Sequence, residues 1–108
     1  MPVDEWLRSL DRPARIRCLA RIVALAAFGH ELRRPLAARL VEGIHELRIK
    51  HHRLNLRLLY FFDGGTVVVT HGLLKQEARV PRREIDRAQR ARREYLSDRS
   101  AHGFEPGE

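Results

Sequence analysis

Apolar positions near the start of the chain recur at intervals of three and four, whereas those in its middle alternate. Val3, Trp6, Leu7 and Leu10 keep helical spacing, and Asp4 is placed to cap the short helix they predict. Asp11-Arg12-Pro13 restarts the chain. Asp11 is a good N-cap, and Pro13 falls in a first turn where no backbone N–H is needed. Ile16, Leu19, Ala20, Val23 and Ala27 then form one apolar stripe, with Arg15, Arg17 and Arg21 mostly off it. This is the pattern of a helix that packs on one side, running to about Phe28 and ended by Gly29. Between His30 and Gly43 the pattern weakens. Pro35 interrupts it, and Leu36 to Val41 reads either as a turn of helix or as a covered loop.

Alternation begins after Ile44. Glu46-Leu47-Arg48-Ile49-Lys50 alternates strictly and predicts a strand. Leu54 to Phe62 is longer and apolar on both faces, as a central strand must be. Asp63-Gly64-Gly65 marks a hairpin, and Thr66 to His71 completes an antiparallel meander. Gly72 to Val80 reads as a loop carrying Lys75. Pro81 opens a last helix through Ile85, Ala88, Tyr95 and Leu96. The order predicts an α+β domain over residues 1–96, with helices packed on one face of a three-stranded antiparallel sheet and a C-terminal helix. Residues 97–108, polar with Pro and Gly, are expected to form a flexible tail.

A chain of 108 residues has room for one core. Aromatic residues make up only 6%, so that core must be built from Leu, Ile, Val and Ala. Charge adds more. Lys and Arg number 21 against 14 acidic residues, a net charge of +7, and only Lys50 and Lys75 are lysines. Such a balance calls for a polyanionic partner, nucleic acid first and an anionic membrane surface second, since no segment is long enough to span a bilayer. The N-terminus lacks the basic start and apolar run of a signal peptide, so a cytoplasmic location is expected. Cys18 is the sole cysteine, which excludes an internal disulfide and a cysteine-based zinc site. Arg15, Arg17 and Arg21 around it could lower its pKa, but a small buried core residue is the expected reading.

The strands carry the candidate chemistry. Arg48 and Lys50 point to one face about 6–7 Å apart, a spacing that suits adjacent phosphates, while Leu47 and Ile49 point toward the helices. Arg57 lies in the middle of an apolar strand and needs a counter-ion, Glu46 or Asp63, or else a ligand; both readings stand. His51 and His52 are adjacent and point apart, a poor metal pair, and neither they nor His45 and His71 have metal-ligand spacing. Imidazole as an acid or base in phosphodiester chemistry fits better. Tyr60 could stack on a base or donate a proton, although a strand tyrosine commonly belongs to the core.

Taken together, Gly43-Ile44-His45-Glu46-Leu47-Arg48-Ile49, Leu56-Arg57-Leu58-Leu59-Tyr60-Phe61-Phe62, His71-Gly72-Leu73-Leu74-Lys75, and Pro81-Arg82-Arg83-Glu84-Ile85 with Ala88 resemble the phage-derived branch of the RelE/HigB toxins of bacterial type II toxin–antitoxin systems. Pro2-Val3-Asp4-Glu5-Trp6-Leu7, Leu10-Asp11 and Leu32 with Pro35-Leu36 fit as well. The resemblance implies a RelE-like fold and a ribosome-dependent mRNA endoribonuclease that needs no metal and no cofactor. It implies catalytic roles for Arg57, Lys75, Lys50 and His71, and RNA contacts from Arg48, Lys50, His51, His52, Arg57 and Arg79. It implies as partners mRNA in the ribosomal A site and a cognate helix-turn-helix antitoxin covering the basic face, with no membrane. Two departures stand out. Many such toxins carry a further strand ahead of the Pro-Val-x-x-Trp-Leu block, where only Met1 precedes it here, so either the natural start lies further upstream, giving a fourth, N-terminal strand, or this edge strand has been lost. A pair of lysines usual after the third strand is Lys75-Gln76. The alternative is a non-catalytic nucleic-acid-binding or prophage interaction module of the same fold.

Overall fold

Leu56 to Phe61 is buried along its whole length, and the fold follows from covering it. In the computed structural model, which describes residues 2–76 and 78–101, helix α1 (Val3–Ser9) and helix α2 (Arg12–Phe28) precede four strands, β1 (Ala37–Val41), β2 (Ile44–His51), β3 (Leu54–Asp63) and β4 (Thr66–Leu74), and helix α3 (Arg82–Ala101) closes the chain. The strands pair antiparallel in the order β1-β2-β3-β4.

A strand apolar on both faces needs a cover on both. Leu56, Leu58 and Tyr60 of β3 pack with Leu47 and Ile49 against Leu7, Ala14, Cys18 and Leu25 of α1 and α2. Leu59 and Phe61 point the other way and pack with Ile44, Leu73, Val80, Ile85 and Ala88. The expectation of helices on one face is therefore corrected: α1 and α2 cover one face, and α3 covers part of the other. A fourth strand is present, formed by Ala37–Val41, the segment read from sequence as a helical turn or loop. It pairs Ala37 with Leu47 and Arg39 with His45.

Strand β4 also runs further than expected, through Gly72 to Leu74. Gly72 permits this: a Cβ there would lie 2.3 Å from the Trp6 ring of α1, so the ring can rest on bare backbone. Helix α3 likewise continues past Leu96 to Ala101; the rest of the expected tail, 102–108, lies outside the described residues. The α1 cap is also corrected: its N-cap is Pro2, and Asp4 sits in the first turn.

For α2 the ends agree with the sequence and the buried side does not. Asp11 accepts a hydrogen bond from Ala14 N at 2.9 Å, and Gly29 ends the helix at φ 55°. Yet Ile16, Leu19 and Val23 are exposed by 54%, 45% and 68%, while Ala14, Cys18 and Leu25 are buried. The helix is apolar nearly all round, so periodicity could not choose a side. The small Ala14 and Cys18 let it lie close on Leu47 and Leu58. Burial pushes the Cys18 thiol up to about 11, the opposite of activation by its arginine neighbours.

Candidate nucleic-acid interface

Strand register determines which basic residues meet. Arg48 stands opposite Arg57, and Arg57 opposite Leu73. One row further, Lys50 stands opposite Asn55, whose carbonyl accepts from the Lys75 backbone N–H at 2.8 Å. Directly opposed residues share a face, and alternation puts Arg48, Lys50 and Arg57 on the α3 side with Leu59 and Phe61. Helix α3 covers the Ile44–Phe61 end of that side and leaves the Lys50 end open. Lys50 is exposed, Arg48 and Lys75 are half-buried, and Arg57 is 8% exposed. The structure thus gathers Arg48, Lys50, Arg57 and Lys75 at one end of the sheet.

Glu46 supplies a counter-charge, one of the two expected for Arg57. It lies two residues before Arg48 on the same face and is 3% exposed. Arg48 Nε donates to Glu46 Oε1 at 2.7 Å, and Arg57 Nε sits 3.5 Å from Oε2, an ion pair without hydrogen-bond geometry. Arg57 Nη1 also donates to the Leu56 carbonyl at 3.0 Å. Burial pulls the Arg57 pKa below its ordinary value; Glu46 opposes this and Arg48 adds to it. One carboxylate therefore orients two guanidinium groups and leaves excess positive charge beside Lys50.

The other expected site residues are more dispersed. His71 reaches the α3 side because Thr70 is an extra residue in β4, a bulge opposite Leu59 and Tyr60 that shifts the register. It is 2% exposed, with Nε2 3.0 Å from Glu84 Oε1 on α3 and Nδ1 3.0 Å from Thr70 Oγ1. Burial foremost, and then Arg87, lower its pKa, while Glu84 raises it. His71 thus lies beneath α3 rather than on the open end. His51 faces α2 on the opposite side of the sheet, buried, 3.8 Å from Asp11. His52 is exposed in the β2–β3 turn at φ 55°, and Arg79 is exposed between β4 and α3. Tyr60 is a core residue on the α2 side. Sequence reasoning did not assign Glu84 to His71, and nothing in local spacing could have done so. The partnership of Glu46 with Arg48 was legible in their two-residue separation.

Among the described residues no helix is long and apolar enough to cross a membrane. A family model described as phage derived protein Gp49-like (DUF891) matches residues 5–93, a span that contains every element of the site. No curated protein and no solved structure matches significantly.

Proposed function

The chain belongs to the Gp49-like family of phage-derived proteins, a family related to toxin–antitoxin systems, and we propose that it is the toxin of such a pair: a ribosome-dependent, metal-independent mRNA endoribonuclease. The observation that carries this reading is the convergence of Arg48, Lys50, Arg57 and Lys75 at one open end of the sheet, with Glu46 as the shared counter-ion of Arg48 and Arg57. In the proposed reaction the 2′-oxygen of the message attacks the adjacent phosphorus. The bond from phosphorus to the 5′-oxygen breaks, the 2′ proton leaves to a base, and the departing 5′-oxygen takes up a proton. The products are a 2′,3′-cyclic phosphate and a 5′-hydroxyl.

Arg57 and Arg48 are suited to the charge that builds on the phosphoryl oxygens, since a guanidinium stays charged and forks onto two of them. Lys50 and Lys75 bind phosphate and are the groups at the open end able to exchange protons. A helix-turn-helix antitoxin would act by covering this end. The test is induction of the chain alone in bacteria, followed by growth and message integrity. Growth arrest with cleavage of translated messages is expected. Intact messages, with RNA still bound by the purified chain, would instead establish the second reading, a non-catalytic binding module, which the enclosure of His71 beneath α3 favours.

A further inference from the structure

The opposite face of the sheet holds a second cluster of basic groups in a different setting. Arg39 of β1 stands opposite His45 of β2, and His45 opposite Tyr60 of β3, so these residues line up across the sheet on the α2 side. The segment after α2 adds His30, Arg33 and Arg34. Together these six residues border a cavity of about 520 Å³ that no carboxylate lines. The imidazoles are fixed by stacking: His30 lies on Phe62 with ring centroids 3.6 Å apart, and His45 on Tyr60 at 5.2 Å.

Among the described residues, no acidic side chain forms an ion pair with Arg33, Arg34 or Arg39. Arg48 and Arg57 on the other face, in contrast, share Glu46. Like charges held in a concavity with apolar walls concentrate positive potential and attract a small anion. Guanidinium forks match the tetrahedral oxygens of phosphate, and the volume falls within the range of small-molecule sites. The field is felt locally: burial lowers the His45 pKa, and Arg39 and then His30 lower it further.

We propose that the cavity between the post-α2 segment and strands β1–β3 binds a phosphate group, held by Arg33, Arg34 and Arg39 with His30 and His45 as further donors. The site lies across the sheet from Arg48, Lys50 and Arg57 and stands whether or not that cluster cleaves RNA. The phosphate can come from a free nucleotide or from the backbone of a bound RNA.

The experiment follows the imidazole resonances of the full chain by NMR while inorganic phosphate, adenosine 5′-monophosphate or a short single-stranded oligoribonucleotide is added. The groups facing His45 are Arg39, His30, Arg33, Arg34 and Tyr60. An anion among them should produce saturable shifts at His30 and His45 and an upward-moving His45 pKa. Saturation by phosphate and the mononucleotide would identify a free ligand; saturation by the oligoribonucleotide alone would identify RNA. Arg39 is exposed and its removal spares the core, so Arg39→Ala should weaken binding at least about tenfold, Arg39→Lys should restore part of it, and Arg8→Ala, at an exposed arginine of α1 outside both clusters, should leave it unchanged. No saturable shift with any of the three probes, or shifts that persist in the Arg39→Ala plus Arg34→Ala variant, would overturn the proposal.

Discussion

The two faces of the sheet carry arginine in opposite electrostatic settings. On the α3 side, Arg48 and Arg57 converge on the buried Glu46, which fixes both guanidinium groups and offsets part of their charge. On the α2 side, Arg33, Arg34 and Arg39 border a cavity that no carboxylate lines. A guanidinium tied to a buried carboxylate is positioned in advance, at the cost of dependence on that carboxylate. One without a partner keeps its full charge for a ligand and contributes little to the fold. The same residue type thus gives a rigid platform on one side and an anion trap on the other.

The largest effect that would sharpen this contrast concerns Arg57. Arg57→Ala should reduce message cleavage by about 10²–10³-fold, the usual loss for one charge-stabilising donor. The fold should survive, because Arg48 keeps its hydrogen bond to Glu46. A variant that fails to fold in circular dichroism would make Arg57 a structural residue and remove the catalytic assignment. Next comes Glu46→Ala, which strands two guanidinium groups, one of them buried. Urea unfolding should show a loss of about 3–5 kcal/mol, whereas Arg39→Ala on the other face should change stability by less than about 0.5 kcal/mol. Equal losses would erase the distinction between the faces.

A smaller effect concerns salt. Arg48→Ala with Lys50→Ala should lower the slope of log affinity for RNA against log salt by about 1.4, as expected when two phosphate contacts are removed from a single strand. An unchanged slope would deny these residues a phosphate role. The smallest effect is in pH. Each face holds an imidazole with a lowered pKa, the buried His71 under α3 and the half-buried His45 beside the cavity. The unfolded chain then binds more protons than the folded one below the ordinary histidine pKa of about 6.5. Stability should therefore be complete above that value and fall as the pH drops from it toward the folded pKa values. Added phosphate should blunt the His45 part of this loss and leave the His71 part intact. Denaturation midpoints at about pH 7 and about pH 5, with and without phosphate, measure both.

Much of this architecture was legible in the sequence. The long run Leu54 to Phe62 announced a central strand, Asp63-Gly64-Gly65 a tight hairpin, and Asp11 and Gly29 the ends of α2, because each signal is local. What was not legible depends on contacts between distant segments. The buried side of α2 could not be read, since both of its sides are apolar and the choice rests on the fit of Ala14 and Cys18 to the sheet. Strand β1 is a short edge segment following Pro35 and takes its conformation from pairing with β2. The extension of β4 through Gly72 requires the Trp6 ring. The cluster of Arg48, Lys50 and Arg57 was visible because two of its members alternate within one strand. The cavity around Arg39 was invisible because its six basic and aromatic residues come from four separate segments.

The most direct measurement supplies purified chain to ribosomes programmed with a defined message and reads the ends of the RNA. The account predicts cleavage of the ribosome-bound message within the A-site codon, leaving a 2′,3′-cyclic phosphate and a 5′-hydroxyl, insensitive to chelators and lost in Arg57→Ala. A message that stays intact on the ribosome, or is cut equally well by Arg57→Ala, would contradict it.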